Sequence, residues 1–137
     1  MNKHLYLRAY LAGIAVPTLM LLVIMAGYAV LRYAVHFPVP IERVIVFPMA
    51  VVPNLWGLWN IAFIASHEKL RQSIGIHGMI LPFFLAPLGL LAASLLDFSV
   101  PHFVFSVLPI AAPVALAAYY LAWKYLVHGL NAVLGIA

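Results

Sequence analysis

Cysteine is absent from the 137-residue chain, which excludes a disulfide framework, a thiolate nucleophile and any cysteine-ligated zinc or iron–sulfur site. Charge is nearly as scarce: Asp, Glu, Lys and Arg make up 7% of the chain, against 67% apolar residues. With a mean hydropathy of +1.13, this composition excludes a water-soluble fold, which is roughly half apolar. The seven basic residues give a net charge of +4, but they are scattered and form no continuous patch, so nucleic acid is not an expected partner.

The apolar residues fall into four runs without Asp, Glu, Lys or Arg: 9–31, 44–65, 76–96 and 103–123. Each has the roughly 20 residues needed to cross about 30 Å of hydrocarbon as a helix. The first is longer than the 7 to 15 residues of a signal-peptide core, so it reads as a span. Short links join the runs: one with Pro38 and Pro40, a polar one at 66–75, and one at 97–102 with Ser99 and Pro101. The sequence therefore predicts an all-α integral membrane protein, with residues 1–137 as a single membrane domain. Its four proline-kinked helices form an antiparallel bundle. The lack of ionisable groups inside the runs, apart from histidines at their ends, removes the titrating residue that a proton-coupled antiporter carries in its membrane pathway. Size and helix number alone identify no family.

Orientation follows from the basic residues. Lys3, Arg8, Lys69, Arg71 and Lys124 fall on one side, against Arg32 and Arg43 on the other, which places both termini in the cytoplasm. Tyr6, Tyr10, Tyr119, Tyr120, Trp123 and Tyr125 are expected at that cytoplasmic interface, with Tyr28 and Tyr33 at the opposite one. The expected location is a bacterial inner (plasma) membrane. The last helix is expected to start near Pro101 with Ser99 as its cap and to reach His128 before Gly129. Residues 130–137, apolar but too short to span, are expected to lie at the interface as a tail.

Every run contains proline, and Pro17, Pro53, Pro87 and Pro113 each lie about 12 to 17 Å into their spans. Proline removes a helix hydrogen bond, so the carbonyls of Gly13, Met49, Phe83 and Pro109 become available near the midplane. Beside Pro53 stand Asn54, Trp56, Trp59 and Asn60, two amides and two indoles in an apolar run. A buried amide needs partners, and Thr18, at similar depth, is the expected one for Asn54. Thr18, Pro53, Asn54, Trp56, Trp59 and Asn60 are thus candidates for ligand binding or helix packing. Trp56 and Asn60, four apart, share a helix face; Asn54 and Asn60 do not.

The histidines sit at the run ends. His67 and His77 form the only weak metal candidate, so no metal or other cofactor is expected. Gly89 with Ala93, and Ala111 with Ala115, are small pairs four apart that permit close helix approach. No residue constellation meets the requirements of catalysis. The leading expectation is a small noncatalytic subunit or assembly partner of a larger membrane complex, with the lipid bilayer and a protein partner or second copy as its neighbours. The alternative is a carrier, channel or binding protein for an uncharged or amphipathic molecule or lipid. A haem- or metal-dependent membrane enzyme stands third.

Overall fold

The computed structural model describes residues 4–38 and 41–136, and for residues 41–44 and 46 the backbone alone. All regular structure among the described residues is helical: α1 (Leu5–Ala34), α2 (Ile41–Leu70), α3 (Ile74–Ile80), α4 (Pro82–Leu95), α5 (His102–Leu121), a π-helical segment (Ala122–Val127) and α6 (His128–Val133). Four continuous stretches, Leu5–Ala34, Phe47–Leu70, Ile74–Leu95 and His102–Val133, are long and apolar enough to cross a membrane. They coincide with the four expected runs and extend most of them.

Two departures from regular helix have local causes. Pro82 does not kink a single third helix; it divides that stretch into α3 and α4. Proline offers no N–H to the Gly78 carbonyl, which instead accepts from Leu81 N at 3.1 Å, and Pro82 begins the next helix. The last helix also differs from expectation. Pro101 occupies the cap position with no side-chain bond from Ser99, and the helix continues past His128 to Val133.

The π segment carries Trp123, Val127 and Asn131 into the interior, at 0%, 0% and 1% exposure. On a regular α-helix, positions eight apart drift by about 80°. The wider π turn offsets that drift and keeps all three on one face.

Buried positions cluster in four stretches: Ala9 to Pro17, Trp56 to Asn60, Gly75 to Leu85 and Trp123 to Asn131. These flank the chain start, the 71–73 link and the chain end, so the core sits at the end of the molecule that holds both termini. Neither α1 beyond Pro17 nor any residue of α5 is buried. Glycines make the core close-packed. A Cβ on Gly13 would lie 2.6 Å from the Trp56 carbonyl oxygen and 2.7 Å from Gly57 Cα, so α1 and α2 meet backbone to backbone. A Cβ on Gly75 would lie 2.7 Å from the Tyr120 ring, and one on Gly78 would land on the Trp123 ring. Three apart on one face of α3, these two glycines form the groove that receives two aromatic rings, also three apart.

Candidate functional site

The core is organised around aromatic rings in sequence. Tyr119 and Trp56 have centroids 5.2 Å apart, Trp56 and Trp123 5.2 Å, Trp123 and His77 5.9 Å, and His77 and Trp59 4.7 Å. Trp59 and His77 are also joined reciprocally. The Trp59 indole donates to the His77 carbonyl at 2.8 Å, and His77 Nε2 lies 3.0 Å from the Trp59 carbonyl. That oxygen can only accept, so Nε2 carries the proton. The Trp123 ring, expected at the interface, is instead fully enclosed, because Gly78 leaves room for it and an apolar ring gains by leaving contact with polar surroundings.

A second polar contact joins the helices near both termini. Asn60, 0% exposed, donates to the Ala9 carbonyl at 2.7 Å and to Asn131 Oδ1 at 2.8 Å; Asn131 donates back to Asn60 Oδ1 at 3.1 Å. Residues 130–136 are therefore not a loose tail. They finish α6 and lock it onto α1 and α2. Gly135, at φ +66°, ends the helix, with Gly135 N bonding to the Ala132 carbonyl at 3.0 Å and Ile136 N to the Asn131 carbonyl at 2.8 Å. The Arg8 guanidinium donates to the Leu134 carbonyl at 2.9 Å, a cation placed at the negative end of a helix.

The other candidates are distributed differently from expectation. Thr18 is exposed and donates to Ile14 of its own helix at 2.6 Å, so it does not serve Asn54. Asn54, also exposed, donates to Ala50 at 2.7 Å and accepts from the Tyr10 hydroxyl. The hydroxyl of Thr18 finds an acceptor one turn back, which is the shortest route available to it in an apolar setting. Trp56 and Asn60 do share the buried face of α2, whereas Asn54 lies off it. Pro17 is buried and Pro53 half-buried, but Pro87 and Pro113 are exposed, so the prolines at similar depth do not face one cavity. Phe83 and Pro109, whose carbonyls were expected to be available near the midplane, are exposed as well.

Of the two histidines, His77 is buried and engaged with Trp59, while His67 is exposed with its Nδ1 3.3 Å from the Ile64 carbonyl. The Phe63 ring packs on both imidazoles, at 5.6 Å and 5.2 Å. Among the described residues no three His, Cys, Asp or Glu side chains come close enough to hold a metal ion.

Two of the open hollows on the surface border α2. One, of about 260 Å³, lies among α1, α2 and α5 and is walled by Pro17, Met20, Leu21, Val52, Trp56 and Tyr119. The other, about 360 Å³, is an apolar groove among α2, α4 and α5 that includes Phe47, Gly89, Ala93, Phe98 and Leu108. The Trp56 indole N–H is buried against the Tyr119 hydroxyl, whereas the Trp123 indole N–H and Arg8 Nε are buried with no acceptor among the described residues. No protein-family model, curated protein or solved structure matches the chain.

Sequence reasoning overlooked Tyr10, Gly57, Gly75, Gly78 and Asn131 as site-forming residues, and singled out Gly13 for its carbonyl rather than for its missing side chain. Two signals were present: glycines three apart in Gly75 and Gly78, and a lone amide, Asn131, in an apolar segment. Gly13 and Gly57 carry no such mark, since they find each other only across two helices.

Proposed function

We propose that the chain is a noncatalytic integral membrane subunit. In this reading its four apolar helices cross a bacterial plasma membrane as an antiparallel bundle with cytoplasmic termini, and α5 docks on a helix of a partner protein or of a second copy. The observation that carries it is α5 itself. None of its 20 residues is buried, and the small pair Ala111 and Ala115 is exposed. In lipid, helices gain little from the hydrophobic effect, and small residues four apart act by letting another backbone approach. The pair does no such work within this chain.

Native mass spectrometry of the chain extracted gently from its source membrane tests the reading. A stoichiometric protein partner or a homo-oligomer is expected, and it is lost on Ala111→Leu with Ala115→Leu. A monomer in native lipid, unchanged by that double substitution, contradicts it. Alkaline extraction of the same membranes tests insertion separately: an integral protein stays in the pellet.

The cavity beside Trp56 favours a second reading, a binding protein for an uncharged lipid-soluble molecule. The two roles use different surfaces and are compatible in one molecule.

A further inference from the structure

We propose that the apolar groove among α2, α4 and α5 holds an acyl chain of a lipid with a primary-amine headgroup, phosphatidylethanolamine, whose ammonium pairs with the Asp97 carboxylate at the groove's mouth. The proposal goes beyond subunit docking and rests on the reading that these helices span a bilayer.

The groove owes its existence to missing side chains. Ala86, Gly89 and Ala93, three and four residues apart on one face of α4, form its floor. A Cβ on Gly89 would meet nothing nearer than the Phe47 ring of α2, at 3.5 Å. Val104 and Leu108 of α5 form the opposite wall, and no residue of that helix is buried. The small pair Gly89 and Ala93, which in sequence permits close helix approach, borders open space instead.

Dimensions decide what fills that space. From Ala86 to Leu96 the floor covers about 15 Å of helix, half of a hydrocarbon layer about 30 Å thick. It ends against Phe98 and Val100, in the link expected at the extracytoplasmic surface, so the groove runs one leaflet deep from headgroup level. A helix only 10 Å wide would fill roughly 1,200 Å³ over that length. The groove offers about 360 Å³. A hydrocarbon chain fits that length and width, whereas the body of a partner helix does not.

Asp97 selects the headgroup. It stands between two lining residues, Leu96 and Phe98, is exposed, and adopts φ +50° just past the C-terminus of α4. The turn closes with Phe98 N bonded to the Ala93 carbonyl at 2.8 Å. A carboxylate is doubly disfavoured there, by a backbone region that glycine occupies more readily and by the negative end of a helix. A cation offsets the second cost. A primary ammonium brings three N–H donors to the carboxylate, the trimethylammonium of phosphatidylcholine brings none, and phosphatidylglycerol brings no cation at all.

The test is native mass spectrometry of the full chain, delipidated in a nonionic detergent and titrated with dioleoyl phosphatidylethanolamine, phosphatidylcholine and phosphatidylglycerol. One phosphatidylethanolamine per chain is expected, bound about fivefold more tightly than phosphatidylcholine, with phosphatidylglycerol weaker still. Asp97→Asn, which suits the left-handed turn and removes the charge, brings phosphatidylethanolamine down to the level of phosphatidylcholine and leaves phosphatidylcholine unchanged. Ala86→Phe, at an exposed residue of the groove floor, weakens all three about tenfold or more. Equal affinities for phosphatidylethanolamine and phosphatidylcholine in the parent, a preference that survives Asp97→Asn, or binding untouched by Ala86→Phe overturns the proposal. So does a protein partner or second copy that accompanies the chain before delipidation and is lost on Ala86→Phe. If either variant departs from the parent circular dichroism and melting curve, the order of the three lipids on the parent chain decides. Release of the chain by alkaline extraction would instead overturn the membrane reading, whatever the titration shows.

Discussion

Asn60 and Asn131, 71 positions apart, exchange two amide hydrogen bonds in the interior, and Asn60 adds a third to the Ala9 carbonyl. Three helices are joined at one point by groups that have no alternative partner in an apolar medium. Removing one amide strands the other, so Asn60→Leu and Asn131→Leu should each destabilise the fold by about 1 to 3 kcal/mol. The double substitution should cost less than the sum, with a coupling of about 0.6 to 2 kcal/mol. Reversible unfolding in mixed micelles measures the cycle; strict additivity would mean that the pair contributes no mutual stability.

Asn54 and Thr18 should behave otherwise. Both are exposed, and each bonds a carbonyl of its own helix. Thr18→Val is expected within about 0.5 kcal/mol of the parent, and Asn54→Leu should cost less than Asn60→Leu. A larger loss at Asn54 than at Asn60 in the same unfolding assay would reverse the order of importance assigned to the two amides.

Gly78 is the tightest point between α3 and the π segment. Its Cβ position is occupied by the Trp123 ring, so Gly78→Ala should destabilise by more than about 1 kcal/mol through overpacking, although alanine is the better helix former. Trp123→Leu in the same chain should recover part of that loss by vacating the space. Gly27 provides the control: nothing lies within 4 Å of its Cβ position, and Gly27→Ala should leave stability equal or higher. Equal loss at both glycines would show that backbone propensity, not contact, governs them.

The chain end should be required for stability. Stopping translation after Gly129 deletes Asn131 and the Leu134 carbonyl that Arg8 holds. The truncated chain should melt below the parent and become protease-sensitive near α1. Arg8→Gln should reproduce part of the effect, by about 0.5 to 2 kcal/mol, through loss of a cation at the helix end. A truncated chain with the parent melting temperature would make the 130–136 segment a passive tail.

Helix existence was legible because it depends on local composition: a run of about 20 apolar residues has few other stable states in lipid, and proline tolerance there keeps the signal readable despite the interruptions. The pairing of Trp56 with Asn60 was legible too, as residues four apart share a face. The partners of those residues were not. Thr18 and Asn54 have the right chemistry to bond each other, yet each donates to a carbonyl of its own helix, a choice that depends on how α1 and α2 pack. Asn131 was hidden because the last helix was expected to stop at His128, which left that amide in a tail, whereas the π segment and α6 carry it into the interior.

The amino-acid sequence by itself determined that this chain is helical, that four of its stretches suit a membrane, and that cysteine chemistry is unavailable to it. These follow from period, length and composition, each a sum over neighbouring residues. Tertiary structure alone decided that the core gathers at the end holding both termini, that Gly13 meets Gly57 and Gly78 meets Trp123, and that Trp56 packs between Tyr119 and Trp123. In chains this uniformly apolar every helix face looks alike in sequence, so which faces touch is set by where a missing side chain lets two backbones approach.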